Sequence, residues 1–275
     1  MGPRKIDISA DGTKLNQSDT LKYCIIQTNV WNATSINGVI NLSLKDSELL
    51  SSINIKDIEL KQRTIFAYPE VALGCNLMGD RFNDDLKKII DFPIELDEAL
   101  KLNIKLKNAF QIISHEPPEL PFNVSYDFWI RRDINKHDHP EEHDCEIMIW
   151  LYRNEQKPIG KYTGEVVLKC KINGSEEDIK FSQWIGRGGR WLTISYIIDP
   201  MWQKEKIDLE IPLSSFLVES RDKMDQPMEK KYLMGMELGS EFGNPGAKKM
   251  KLKWKLSSYE LIYKEGVFNL LEIQD

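Results

Sequence analysis

The stretch from Cys145 to Leu151 (CEIMIWL) alternates between two kinds of side chain along its whole length. In a β-strand successive side chains point to opposite faces, so its odd-numbered residues, all small or aliphatic, are predicted to face a core. Its other face would carry Glu146, Met148 and Trp150, with Asp144 just before them. An acid beside a methionine and a tryptophan is unlike a solvated outer face and is typical of a concave binding surface.

Similar short segments, broken by turn residues, recur on both sides of this stretch. Many strands at near-regular spacing, without a βαβ rhythm, predict an all-β sandwich of two packed antiparallel sheets. One exception, Leu213–Met224 (LSSFLVESRDKM), has helical spacing behind a serine cap and predicts one short helix. The other predicted strands are Tyr23–Trp31, Val39–Leu44, Ile53–Leu60, Leu102–Ile113, Val124–Ile130, Glu165–Ile172, Asp178–Trp184, Trp191–Ile198, Lys206–Ile211, Lys231–Leu238 and Lys249–Ile262.

The composition narrows the class of protein. The 275 residues show no internal boundary, which predicts a single domain over residues 1–275, with residues 1–15 loosely held. A net charge of −6 with both signs interspersed argues against a nucleic acid partner, and no apolar run is long enough to span a membrane. A monomer is the default expectation. The cysteines, at positions 24, 75, 145 and 170, lack metal-ligand spacing. We expect four small buried residues, and one disulfide bridge among them is the alternative.

Acids and aromatic residues share faces in several of the predicted strands. Asp127 alternates in phase with Trp129, Asn29 with Trp31, and Glu237 with Glu241. Such a surface suits a sugar polymer, because pyranose rings pack on aromatic rings while their hydroxyl groups need polar partners. Cleavage of a glycosidic bond requires two carboxyl groups that flank it. Periodicity alone does not say which two acids react.

Several segments of the chain resemble glycoside hydrolase family 12, the concanavalin-like β-jelly-roll endoglucanases and xyloglucan hydrolases. The resemblance runs from about Tyr23 to Tyr263 and is greatest to the heat-loving prokaryotic branch. The histidine- and acid-rich tract Arg131–Asp144 and the cysteine positions depart from the family pattern. The matching segments are Asn29–Asn32 (NVWN), Tyr68–Glu70 (YPE), Tyr126–Asp127, Glu146–Leu151 (EIMIWL), Pro158–Gly160, Trp184–Tyr196 and Glu237–Pro245 (ELGSEFGNP).

The resemblance implies a β-jelly-roll enzyme, an endo-β-1,4-glucanase (cellulase) that retains the anomeric configuration. Glu146 is the implied nucleophile, Glu241 the acid/base that is protonated at rest, and Asp127 the group that holds Glu146 in place. The residues implied to line sugar subsites are Asn29, Trp31, Tyr68, Met148 and Trp184. The expected partner is a β-glucan, with no cofactor and no metal.

The sequence also gives expectations about the location and the source of the protein. The start of the chain has no apolar signal core, so we expect either an extracellular protein whose signal was removed or a cytoplasmic one. Abundant Lys, Glu and Ile are typical of thermophiles.

Two rival functions stay open at this point. The run from His137 to Cys145 (HDHPEEHDC) contains an H-x-H pair of the kind found in cupin-type or zinc sites, although the fourth histidine, His115, lies upstream. The alternative to a metal site is that this run forms a solvated loop. A non-catalytic, lectin-like sandwich would keep the tryptophan platforms but would have no use for two opposed acids.

Overall fold

The alternating segments of the sequence form strands throughout the computed structural model, which describes residues 5–61, 65–134, 139–227, 229–243 and 249–274. Every predicted strand overlaps an observed one. The strands of the described residues are β1 (Lys5–Gly12), β2 (Ser18–Thr20), β3 (Ile25–Gln27), β4 (Ala33–Lys45), β5 (Glu48–Leu60), β6 (Glu70–Gly74), β7 (Ile94–Glu95), β8 (Lys105–Glu116), β9 (Phe122–Arg131), β10 (Cys145–Asn154), β11 (Lys161–Ile172), β12 (Ser175–Arg187), β13 (Leu192–Ile198), β14 (Lys206–Pro212), β15 (Tyr232–Leu233), β16 (Gly235–Gly239), β17 (Met250–Tyr263) and β18 (Gly266–Asn269).

These strands form the two curved layers of a β-jelly-roll, as predicted. One layer has the order β2-β3-β6-β16-β9-β10-β13-β12-β11. The other has the order β1-β4-β5-β17-β8-β14. All of these pairs are antiparallel except β10 with β13, which is parallel and therefore departs from the prediction. A two-residue pairing of β11 with β14 joins the layers at one edge.

The core lies between the layers and confirms the predicted alternation of β10. Cys145, Ile147, Ile149 and Leu151 belong to the main hydrophobic cluster, together with residues of the opposite layer such as Trp254. Met148 and Trp150 lie instead in a separate small cluster on the other face of the sheet. All four cysteines are buried and unpaired.

The helical content differs from the prediction in two details. The predicted helix is present as α2 (Leu213–Arg221), but the structure adds α1 (Leu96–Ala99) and a 3₁₀ turn at Asp85–Lys88. The serine cap is wrong, because Pro212 is the N-cap residue of α2 and makes no side-chain capping bond. Ser214 instead accepts a hydrogen bond from the Ile104 N–H (3.1 Å) and donates one to the Leu102 carbonyl, which ties α2 to the segment before β8. Among the described residues, no helix is long and apolar enough to cross a bilayer.

The N-terminal stretch contains a strand that the sequence analysis does not predict. Lys5–Gly12 pairs along its length with β4. Ile6, Ile8 and Ala10 alternate into the core while their neighbours are exposed. This apolar alternation is short and lies among charged residues, so it was outweighed by the polar composition of the segment.

Candidate active site

Neighbouring strands of the first layer bring carboxyl groups together on its concave face. Asp127 on β9 lies opposite Glu237 on β16 and opposite Met148 on β10. Glu146 is two positions from Met148 and pairs with Trp129. Because alternate residues of a strand share a face, these acids project from the side of the sheet opposite the core.

Glu146 is held by donors from the parallel strand β13 and the turn before it. Its Oε2 atom accepts hydrogen bonds from the Trp191 indole Nε1 (3.0 Å) and from the Thr193 hydroxyl (2.8 Å). Thr193 is the register partner of Glu146, and Trp191 packs edge-on against Trp129 at 5.4 Å. The carboxyl group is therefore fixed in direction by two hydrogen bonds to the same oxygen atom.

Glu241 follows β16 and accepts hydrogen bonds from two side-chain amide groups. Its Oε2 atom accepts from the side chains of Asn123 (2.7 Å) and Gln156 (2.9 Å). Its backbone N–H donates to Asn123 Oδ1 (3.1 Å), and its carbonyl accepts from the Asn123 N–H (3.0 Å). Burial and then the nearby Glu146 carboxylate raise the pKa of Glu241 to about 7, while the two amides act to lower it. A pKa in this range suits a general acid that works near neutral pH.

A second pair of acids lies deeper in the same face. Glu70 on β6 accepts hydrogen bonds at Oε1 from the amides of Gln27 (2.6 Å) and Asn29 (2.7 Å). The Glu70 and Glu237 carboxyl groups act on each other's pKa, because two carboxylates placed close together disfavour ionisation of both. Burial raises the pKa of Glu70 to about 8 and, together with the Glu70 charge, raises the pKa of Glu237 well above its usual range.

Asp127 connects the two pairs. Burial is the main cause that raises its pKa well above the usual range, followed by the charges of Glu146, Glu237 and Glu241 in that order. Its Oδ1 atom is buried without a hydrogen-bond partner. Asp127 is therefore harder to ionise than an ordinary aspartate, and Glu146 is the charged neighbour that raises its pKa most.

The sequence model of Glycosyl hydrolase family 12 matches residues 22–261. The chain belongs to this family. The match contains every acid of the site, from Glu70 to Glu241. A search of curated protein sequences finds no match.

Solved structures of family 12 enzymes share the fold. A xyloglucanase from Bacillus licheniformis superposes with a TM-score of 0.63 at 20% identity, over 94% of this chain and 100% of that one. Endoglucanase Cel12A from Rhodothermus marinus gives 0.64 at 15% identity, over 94% and 99%. Endoglucanase 3 from Trichoderma harzianum gives 0.62 at 16% identity, over 94% and 98%. At these identities the superpositions establish the jelly-roll of this family 12 chain.

The residues expected to line sugar subsites fall into two groups. Trp31 is 39% exposed and Trp184 is partly exposed, so both offer aromatic surface to a ligand. Asn29 has a left-handed backbone (φ 37°) and directs its amide Nδ2 to Glu70. Met148 (3% exposed) and Tyr68 (4% exposed) are buried. The sequence assigns both of them to the lining, whereas the structure leaves them little surface for a sugar.

Tyr68 is buried beside the acids and contacts the strand that carries Asp127. Its hydroxyl donates to the Ser125 carbonyl at 2.7 Å. Burial, followed by the charges of Asp127, Glu70 and Glu237, raises the pKa of the Tyr68 hydroxyl well above its usual range. This buried hydroxyl stays neutral and anchors β9 beside the acid cluster.

Sequence reasoning missed several groups that hold the acids. Trp191 and Thr193 reach Glu146 because β13 pairs in parallel with β10, a pairing between distant segments that has no local signal. Asn123 and Gln156 lie at a strand start and in a loop, and nothing in their spacing links them to Glu241. The alternation of the sequence predicts that Glu237 and Glu241 share a face of the sheet. It does not predict that Glu237 lies close to Glu70.

The rival metal site falls partly on residues that are not described. His137 lies outside the described residues. Across the described parts of the chain there is no group of three or more His, Cys, Asp or Glu side chains placed to hold a metal ion. Asp144, at the end of this tract, is buried and pairs with the guanidinium of Arg131 at 3.0 Å.

Proposed function

We propose that this family 12 glycoside hydrolase is an endo-acting β-1,4-glucanase that retains the anomeric configuration, with Glu146 as the nucleophile and Glu241 as the acid/base. The observation that carries the proposal is electrostatic. Glu146 is the charged group that acts most strongly on Glu241, whereas Glu70 is the one that acts most strongly on Glu237. This difference supports Glu241, rather than Glu237, as the glutamate that works with Glu146.

In the first step the Oε1 atom of Glu146 attacks the anomeric carbon of the sugar. The bond from this carbon to the leaving oxygen breaks, and the leaving oxygen takes the proton of Glu241. The indole of Trp191 and the hydroxyl of Thr193 fix the other oxygen of Glu146, which keeps the attacking atom in one orientation. The products are a glycosyl ester on Glu146, a released sugar chain and an ionised Glu241.

In the second step Glu241 acts as a base. Once Glu146 is an ester it carries no charge, so the main electrostatic cause that raises the pKa of Glu241 is removed. The hydrogen bonds from Asn123 and Gln156 then favour the carboxylate. Glu241 takes a proton from water, the water oxygen attacks the anomeric carbon, and the ester bond to Glu146 breaks. Two displacements restore the original configuration.

The inner acids hold the reactive ones and the sugar in place. Asp127, whose pKa is raised by burial and then by the charge of Glu146, would share a proton with the nucleophile. The Oε1 atom of Glu70 accepts a hydrogen bond from the Asn29 amide and fixes its direction, and Asn29 would bind a sugar hydroxyl beside Trp31 on the non-reducing side of the cleavage point.

The substrate that we infer is a β-1,4-glucan polymer or oligosaccharide. The solved relatives described as a xyloglucanase and as endoglucanases act on polymers of this class according to their names. The proposal includes action as a monomer, without cofactor or metal, in the extracellular space where such polymers occur. A heat-loving source stays a prediction from composition.

Release of reducing ends from carboxymethylcellulose and barley β-glucan tests the proposal. The wild-type chain should release them, and Glu146→Ala and Glu241→Ala should not. Glu265→Ala, which changes an exposed glutamate on a turn, is the matched control and should keep full activity. Proton NMR during the first minutes should show new ends of β-configuration. Binding without release by the wild type would favour the lectin-like alternative, and α-configured ends would overturn the retaining mechanism.

A further inference from the structure

The concave face continues past Trp184 to an aromatic residue on the edge strand. Tyr162 on β11 is the register partner of Trp184 on β12. Trp184 is opposite Ser195 on β13, and Ser195 is opposite Met148 on β10. The row from Asp127 on β9 to Tyr162 crosses four strand spacings, or about 19 Å. Tyr162 therefore lies on the same face as the acids and at the far end of the trough from Trp31.

Two glycines fix Tyr162 in this place. Gly160 has a left-handed backbone (φ 89°) and packs on Gly186 of β12, where a Cβ at position 160 would come within 2.0 Å of the Ile185 carbonyl oxygen. Because neither glycine has a side chain, the start of β11 lies in close backbone contact with β12. A bulge follows at Thr163, whose hydroxyl bonds to the carbonyl (3.2 Å) and the side chain (3.0 Å) of Gln183. Tyr162 is thus held between two anchored positions.

The aromatic surface at this end is continuous and open to solvent. Trp184 packs against the small cluster of Met148, Trp150 and Ile197 on the trough floor. Tyr162 stands edge-on to Trp184, with ring centroids 5.9 Å apart and planes at 69°. Tyr162 is 53% exposed. The two rings form a corner with aromatic walls, in which Tyr162 is exposed and Trp184 is partly exposed.

We propose that Tyr162 and Trp184 form a distal subsite that binds a pyranose ring of a β-glucan chain on the reducing side of the cleavage point. Aromatic rings bind the apolar C–H face of such sugars, and the distance from the acids requires a chain that extends beyond the sugars at the cleavage point. The inference rests on the proposed function for the identity of the chain. Its consequence is that long glucans bind more tightly than short ones, through a residue remote from the reacting bond.

Steady-state kinetics on cello-oligosaccharides of increasing length test this subsite. Tyr162→Ala should raise KM about fivefold for hexaose and polymer, as expected from the loss of one partly buried aromatic face. For the shortest cleaved oligosaccharide it should change neither KM nor kcat. Tyr162→Phe keeps the ring and should behave as the wild type. Val267→Ala, which shortens a residue 62% exposed on β18 of the other layer, is the control for loss of surface apolar area.

Affinity electrophoresis in gels that contain hydroxyethylcellulose separates failure of the subsite from failure of the proposed function. If the wild type releases no reducing ends, the proposed function fails, yet gel retardation that Tyr162→Ala loses and Val267→Ala keeps still supports the subsite. Equal retardation of wild type and Tyr162→Ala, or an equal kinetic effect on all chain lengths, overturns it. Thermal unfolding of Tyr162→Ala should match the wild type, because the side chain is exposed.

Discussion

The pH dependence of activity should shift when one of the two amide hydrogen bonds to Glu241 is removed. Gln156 donates to Glu241 Oε2 at 2.9 Å, and this hydrogen bond lowers the pKa of a carboxyl group that burial and Glu146 raise to about 7. Gln156→Leu keeps much of the side-chain volume but removes the donor. The charged form of Glu241 then loses a stabilising contact while the protonated form does not, so its pKa must rise.

The size of the change follows from the energy of one hydrogen bond to a charged group. Such a bond contributes about 1.5 kcal/mol, and one pKa unit corresponds to about 1.4 kcal/mol. The pKa of Glu241 should therefore rise by about one unit in Gln156→Leu. Glu241 must be protonated for the first step, so activity is lost as pH rises through its pKa. The alkaline limb of the profile should move up by about one pH unit.

The measurement is kcat/KM against pH from 4 to 10 on a soluble glucan. Gln203→Leu is the matched control, because the Gln203 amide donates to the Arg153 carbonyl at 2.8 Å and has no contact with Glu241. It should leave the alkaline limb in place. An unchanged alkaline limb in Gln156→Leu, or one that moves to lower pH, would refute the assignment of Glu241 as the acid.

Three further changes test the other acids. Asp127→Asn should keep far more activity than Asp127→Ala, because a protonated acid is better mimicked by an amide; equal losses in kcat would contradict this. Glu237→Gln should flatten the pH dependence of thermal unfolding. The raised pKa values of Glu70 (about 8) and Glu237 give stability that is full below about 4.3 and is lost as pH rises toward 8, so the wild-type midpoint should fall over this window and the variant's should fall less. Parallel curves would show that the pair holds no shared proton. Trp191→Phe removes one donor to Glu146 and should lower kcat about tenfold with little change in KM, by the energy of one charge-assisted bond; a rise in KM alone would assign the indole to substrate binding.

The alternation of apolar residues predicts the strands because it is a local property. In β10 the pattern identifies both faces, and the structure places Ile147 in the core and Met148 on the other side. β1 was missed because its alternation of Ile6, Ile8 and Ala10 is embedded in charged residues. The serine cap of α2 was wrong because Ser214 serves a tertiary contact, and a sequence does not show which partner a hydroxyl will meet.

The two acids proposed to react can be predicted from the sequence only through motif resemblance. Glu146 and Glu241 are separated by many strands of chain, and their proximity depends on the order β10-β9-β16 in the folded sheet. The pairing of Glu70 with Glu237 depends on a further neighbour, β6. These contacts between acids depend on the order of strands in the sheet, so they cannot be predicted from residue spacing. The burial of Tyr68 is of the same kind, since it results from contact with β9.

Mass spectrometry of the trapped intermediate tests the central claim most directly. The nucleophile should displace the leaving group of an activated 2-deoxy-2-fluoro cellobioside and form a glycosyl ester that hydrolyses slowly, because fluorine destabilises the positive charge that develops at the anomeric carbon. After protease digestion the added mass should lie on the peptide that contains Glu146, and Glu146→Gln should take up none. A stable adduct on Glu241, Glu237 or Glu70 would contradict the account.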